Sequence, residues 1–458
     1  MAKEMTVGGW VGRALGAWAA QREVRRALFR LAMPIVGANL LQRGAGIVDA
    51  VMVGRLGAEA LAAVGLANLL LMFVMGLVLG LGLGSTVLVA FHTGAGDPAR
   101  RGRAVRATIL VGAAATLVLV PAGLAGSRPA ARLMGASGPV EDLAAEYLAI
   151  IWAGFVFRVY LQIGSSVFQG AGDTRTPLKI LLWVNLLHVA VAWPLIFGVG
   201  GAPRLGVTGA AVGTVVSEAV GALTIWAAAR RRGLMGPPAP WADRRELARI
   251  LRVGVPTAGE RLITHGMQLV YARIVITFGV AAYAAHQVGL NIEALSFLPG
   301  LAFAQGATAL VGQRLGARDP EGARQTGIQA VVVAVGVMSG FGLTYLAFPA
   351  LWVSLFTTDP HVLGYGRTVL ALMAGLQPPL ALAMATSGAL RGAGETRLVM
   401  HSAIVGGWVV RLPVAYLGGV AAGGGLVVVW LTMILDWGAR AAITCRRFRR
   451  LRWDAVRL

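Results

Sequence analysis

Eleven acidic and basic residues and three histidines lie inside long apolar stretches of this 458-residue chain. The acids are Asp49, Glu218, Glu260, Glu293 and Asp436, the bases Arg43, Arg158, Arg261, Arg273, Arg367 and Arg411, and the imidazoles His188, His265 and His286. A charge at the centre of a bilayer costs about 2.5–3.5 kcal/mol on insertion scales, so each one is retained for a partner or for a function. Asp436 and Arg440 stand four apart and read as a pair on one helix face. Arg367 is close enough to the start of its stretch to reach outward to water. Arg411 precedes Pro413 by two residues, where it is placed to serve carbonyls freed by a proline kink. Asp49 is different. It has no opposite charge three or four residues away, and Arg43, six before it, is out of line with it on a helix. Burial of a carboxylate favours its neutral form, the property a reversible proton carrier needs. In the second half Glu260, His265, Arg273, His286 and Glu293 are spaced to form a second polar cluster within one bundle. HExxH, GxSxG, clustered Cys/His ligands and phosphate-binding loops are all missing, so the pattern points away from an enzyme and toward ion movement.

The elements that must hold these residues are membrane-spanning helices. Only 13% of residues are charged, 57% are apolar and the mean hydropathy is +0.71. A soluble domain carries about a quarter of its residues as charges. Stretches long enough to cross a bilayer lie near 33–53, 61–91, 105–126, 143–168, 178–199 and 206–228, and again near 254–276, 283–312, 326–350, 362–387, 398–418 and 424–444. The net charge of +21 does not indicate nucleic acid, because the basic residues come in short bursts between uncharged runs. With the N-terminus inside, 31 of the 41 Lys and Arg fall in inside segments and four in outside loops, which places both termini in the cytoplasm and the chain in the plasma (inner) membrane. Residues 1–30 read as a cytoplasmic, partly amphipathic lead-in, not a signal peptide. Cys445 is the only cysteine.

The two halves repeat directly. Pro34 and Pro256, Gly57 and Gly279, "GAGDP" at 94–98 and "GARDP" at 316–320, and "GAGDTR" at 170–175 and "GAGETR" at 392–397 are all 222 apart. Six spans per half is an even number, so both halves enter the membrane in the same sense. The expected fold is an all-α membrane protein with twelve transmembrane helices in two six-helix bundles, related by a pseudo-two-fold axis along the membrane normal. The expected divisions are a lead-in at 1–30, an N-lobe at 31–228, a cytoplasmic linker at 229–250, a C-lobe at 251–445 and a basic tail at 446–458. Pro34 and Pro256 are matched kink or hinge positions. The repeated loops read as cytoplasmic turns whose glycines adopt positive φ and whose Asp or Glu caps the next helix.

In these same motifs the sequence resembles the multidrug and toxic compound extrusion (MATE) family. The match includes "LAMPIVGANLLQRGAGIVDAVMVGRLGAEALAAVGLA", "FQGAGDTRTPL", "LVGQRLGARDPEGAR" and "LRGAGETR", and covers roughly residues 25–445. The resemblance implies a secondary antiporter that exports small, often cationic, amphipathic compounds against H+ or Na+ by alternating access. It implies no other cofactor, a small-molecule substrate and the lipid bilayer as partners, no nucleic acid, and a monomer. It places the family's N-lobe cation-binding aspartate at Asp49, with possible Na+ there. This chain departs from the pattern where the usual fifth-span asparagine reads His188 and the usual second aspartate reads Ala192. His188 is the titratable group placed to replace part of that site. The seventh-span and tenth-span acids of the best-known branch align with Thr264 and Leu380. The alternative is a lipid-linked precursor flippase of the same superfamily, which the intramembrane arginines would suit but for which two further spans are missing. The charge distribution carries a test of topology: a cysteine introduced into the 229–250 linker is expected to resist membrane-impermeant maleimide added outside intact cells, and labelling from outside would sink the orientation.

Overall fold

Backbone polar groups in hydrocarbon must be satisfied within their own segment, so these apolar stretches have one local solution, the helix. The computed structural model describes residues 21–238 and 243–456, and it contains α1 (Arg22–Gly54), α2 (Ala58–Gly94), α3 (Pro98–Leu133), α4 (Pro139–Ala153 and Phe155–Gly170), α5 (Arg175–Phe197) and α6 (Val207–Arg231). The second half follows with α7 (Arg244–Ile276), α8 (Val280–Gly316), α9 (Pro320–Ala347), α10 (Pro360–Gly392), α11 (Thr396–Ala421) and α12 (Gly425–Arg450). Ten of these rods are long and apolar enough to cross a membrane alone, and the two parts of α4, bent by 55°, make an eleventh. The twelfth, α7, falls short of the apolar threshold because it carries Glu260, Arg261, His265 and Arg273. Large apolar side chains on the outer faces, such as Leu117, Trp183 and Leu223, are 70–78% exposed, as lipid-facing residues are.

The helices overrun the expected divisions. Helix α1 begins at Arg22, inside the expected lead-in, whose first 20 residues lie outside the described chain. The expected linker at 229–250 ends inside α7, which begins at Arg244. The start of the expected tail continues α12 to Arg450, and Trp453 then folds back on Phe448 at 5.1 Å between ring centroids.

The sequence repeat is a structural repeat. Thr86 donates to the Ser166 carbonyl at 3.0 Å, and Thr308, 222 residues on, donates to the Gly388 carbonyl at 2.8 Å. Asp97 caps α3 through Arg100 N and Asp319 caps α9 through Gly322 N, each at 2.8 Å, with proline in the first helical turn. The Asp97 cap bond holds that carboxyl below its ordinary range. The preceding turn is left-handed in both copies, at Gly96 (φ 64°) and at Arg318 (φ 58°). Only glycine adopts that conformation without strain, so the second copy carries a cost of about 1 kcal/mol that the first does not. Asp173 caps α5 through Thr176 N at 3.0 Å, whereas Glu395 makes no cap and instead pairs with Arg447.

Between the lobes, α2 packs along α7, α1 along α8, and α2 meets α8 at their C-terminal ends. This interface is a glycine seam. A Cβ on Gly94 would lie 1.8 Å from the Gln313 carbonyl oxygen, and a Cβ on Gly316 1.9 Å from the Phe91 carbonyl oxygen. Those two contacts exchange under the 222-residue offset, as a two-fold contact requires. Gly84 against Ile250 and Gly306 against Leu28 exchange in the same way. All lie toward the basic end of the bundle, where the described chain also begins and ends. Toward the other end Gly44, Gly46, Gly57 and Gly279 have open space beside them, and Arg43 of α1 donates to Asn291 Oδ1 of α8 at 2.8 Å. The seam predicts the effect of a wedge: in a Cys445→Ser background, Gly316→Leu is expected to speed labelling of a cysteine at Gln305 by impermeant maleimide from the basic side. An unchanged rate would mean that this contact is not what closes that end.

Candidate functional site

The N-lobe site is assembled by four helices. Helix α4 bends at Gly154, where a Cβ would meet Val215 of α6 at 2.4 Å, and the bend brings Arg158 onto α6. Thr214 and Glu218 stand one turn apart on the facing side of α6. Arg158 Nε donates to Glu218 Oε1 at 2.7 Å, both side chains being at most 20% exposed. Above this pair, His188 Nδ1 of α5 lies 3.4 Å from Asp49 Oδ1 of α1, and His188 Nε2 lies 3.4 Å from Thr214 Oγ1. The structure therefore brings Asp49 and His188 together, with Arg158 and Glu218 as the next charges. Ala192 is fully buried where α5 and α6 touch, with a Cβ on Gly213 only 2.6 Å from its methyl. A carboxylate has no room there.

The five-residue cluster expected in the C-lobe is not one cluster. Glu260 faces the other lobe's side of α7 and accepts from Arg391 Nη2 through both oxygens, at 2.6 and 2.8 Å. His265 stacks at 5.5 Å on Phe73 of the N-lobe. Arg273 is exposed. His286 and Glu293 alone remain inside the C-lobe, where the charge acting on both is Arg411. The separation follows from helix geometry: steps of three and four share a face, and Glu260 to His265 is five. Arg411 also does not serve the Pro413 kink. Its guanidinium lies 4.0 Å over the Tyr271 ring and 3.6 Å from Asp436, which Arg440 holds at 2.5 and 3.1 Å. Around it α11 is π-helical at Ile404–Arg411 and Ala415–Ala421, and Gly406 and Gly407 leave the space that the Asp436–Arg440 pair fills.

Pro34 and Pro256 both lie inside continuous helices, α1 and α7. Among the described residues no three His, Cys, Asp or Glu side chains converge to hold a metal ion.

A comparison of the chain with protein-family profiles matches the MatE family over residues 34–194 and 256–417, two segments that begin 222 residues apart. The chain is 32% identical over 441 residues to the "Probable multidrug resistance protein NorM" of Thermotoga maritima, covering 94% of each protein. The chain belongs to the MATE family. It is also 28% identical to the "Multidrug resistance protein PmpM" of Pseudomonas aeruginosa, over 85% of this chain and 83% of that protein. Its fold matches a solved outward-facing conformation of a multidrug resistance MATE family transporter with a TM-score of 0.83, at 25% identity and over 95% and 97% of the two chains. This chain is thus a multi-pass membrane transporter of a multidrug efflux family and not an enzyme.

Within this MATE chain, of the two C-lobe positions aligned with the family's acids, Leu380 is fully buried in the C-lobe core and Thr264 is half-buried on α7. The Arg158–Glu218 pair escaped sequence reasoning because its members are 60 residues apart. Its one signal was two uncompensated charges of opposite sign in the same lobe. Breaking a buried ion pair from one side strands the other charge. Arg158→Met is expected to destabilise the protein by about 3 kcal/mol, read as a fall in melting temperature that Glu218→Met partly restores; a single variant as stable as the parent would show the pair to be energetically idle.

Proposed function

We propose that this chain is a proton-driven antiporter that exports small amphipathic compounds by alternating access, with Asp49 as the proton carrier and His188 as its partner. The observation that supports this reading is the Asp49–His188 contact at 3.4 Å on helices of the same lobe. Two titratable groups share a site where one proton decides the charge of the pair. The donor set also favours a proton over Na+. Hard cations gather several oxygen ligands, and here one carboxylate and one hydroxyl are separated by an imidazole. The basic end, with both termini and the linker, faces the cytoplasm of the plasma (inner) membrane under the inside rule, so the cleft opens outward. Both lobes and the cleft between them belong to one chain, which acts as a monomer.

Protonation drives alternation by favouring one arrangement of α1, α5 and α6 over another. A neutral Asp49 loses its attraction for a protonated His188, and α1 is then free to repack against α5. The hinge role of Pro34 and Pro256 belongs to the same proposal, because a proline removes a backbone hydrogen bond where the helix must bend.

Asp49→Asn preserves shape and removes the titrating charge. It is expected to abolish gradient-driven efflux from proteoliposomes while expression and substrate binding persist. His188→Ala is expected to shift the pH dependence of efflux without eliminating it. Native-rate efflux by Asp49→Asn would move coupling to Glu293 and His286 beside Arg411.

A further inference from the structure

The floor of the interlobe cleft holds a guanidinium with no counter-charge of its own. Arg261 lines a cavity between the lobes with Gln162 and Ser166 of α4, Gln305 of α8, Thr86 of α2 and Arg391 of α10. The charges that act on Arg261 are Glu260 and Arg391. Both Glu260 oxygens are taken by Arg391, which leaves the three side chains with a net charge of one positive. Among the described residues no carboxylate or carbonyl bonds Arg261, and its Nε is buried without a partner. The side chain is held in place by the α2–α7 seam, since its Cβ is within 3.3 Å of where a Cβ on Gly76 would be.

Arg261 is half-buried with its Nε enclosed and unpartnered, and an anion in the cavity beside it would meet that charge. The cavity is furnished for an anion. The Gln162 and Gln305 amides make no side-chain hydrogen bond among the described residues, so their N–H groups are free to donate. The hydroxyl protons of Thr86 and Ser166 are already committed, to the Ser166 and Gln162 carbonyls. We propose that Arg261, with Gln162 and Gln305, recognises an anionic group, so that the exported compound carries a carboxylate, sulfonate or phosphate. This assignment rests on the export reading and narrows it to organic anions. It has an energetic consequence: exchange of an inward proton for an outward anion moves two charges in the direction that an inside-negative potential favours, so potential and pH gradient drive the same step.

The site draws residues from both lobes, and it exists only while the basic end is closed. An anion bound there stabilises the outward-open state until it leaves.

The test uses fluorescein and rhodamine 123, which share a xanthene scaffold and differ in charge, titrated by anisotropy against detergent-purified full-length protein. The parent protein is expected to prefer fluorescein. Arg261→Gln is expected to weaken fluorescein binding about tenfold, the worth of one charge-assisted hydrogen bond, while rhodamine 123 stays within about twofold and Arg261→Lys retains most of the preference. Tighter binding of rhodamine 123 by the parent protein would overturn the assignment, and that result does not depend on any variant folding. Unchanged fluorescein affinity in a monodisperse Arg261→Gln preparation would overturn it as well. Proteoliposome efflux separates the two readings. Arg261-dependent binding of fluorescein that no gradient moves leaves the anion site standing and the export reading refuted. Gradient-driven efflux of rhodamine 123 without fluorescein binding does the reverse.

Discussion

A charge held in hydrocarbon has to be met by another charge within the protein, and the arrangement of both lobes follows from how each one is met. Arg158 and Glu218 fix the rotation of α4 against α6. Asp436, clamped by Arg440 and approached by Arg411, fixes α11 against α12. Glu260 and Arg391 tie α7 to α10. Each pair is short and nearly enclosed, so its charges are neutralised where they stand and their helices are locked in register. Asp49 and Arg261 are among the groups without such a pair. Asp49 has only an imidazole at 3.4 Å, and Arg261 has no partner of its own. These are the two places to which the proposals above assign a mobile cation and a mobile anion.

The seam between the lobes has the opposite character. It is made by glycines pressed onto opposing backbone at Gly94, Gly316, Gly80 and Gly84, with few interlocking side chains. Backbone-to-backbone contact in a membrane is favourable through close van der Waals packing, and at the basic end the His92–Glu246 and Arg103–Asp243 contacts, at 3.2 and 3.4 Å, add to it. The lobes are therefore rigid inside and separable between. Under the proposed alternating access, rocking one six-helix bundle against the other breaks the glycine contacts together with His92–Glu246 and Arg103–Asp243.

The fold was largely legible in the chain. A constant offset of 222 residues survives translation into matched hydrogen bonds and matched glycine contacts, because a repeat preserves spacing. The proximity of His188 to Asp49 was legible through family position, not through any local spacing. What the chain did not disclose was rotation. Whether Glu260 faces His286 or Arg391 depends on which side of α7 turns inward, and α7 lies between its own lobe and α2 of the other. The π-helical turns of α11 were equally hidden. They change the face on which Arg411 emerges, and so a side chain expected at the Pro413 kink lies over Tyr271 instead.

The repeat is symmetric in backbone and asymmetric in charge, and the proposed mechanism rests on that asymmetry. The residue 222 positions after Asp49 is Tyr271, in the same register on the matched helices α1 and α7. Tyr271 donates to the Val429 carbonyl at 2.6 Å while Arg411 covers its ring. An aromatic ring pinned between a carbonyl and a guanidinium takes up no cation at neutral pH. Two equivalent coupling sites would let either lobe respond to the gradient and would leave the direction of rocking undefined. With Asp49 as the proposed proton carrier and Tyr271 at the matching position, protonation acts on α1, α5 and α6 of the N-lobe. Helix α1 packs on α8, which carries Gln305 of the cleft floor. That contact is the route by which the proposed change of charge in the N-lobe would reach the far side of the proposed anion cavity.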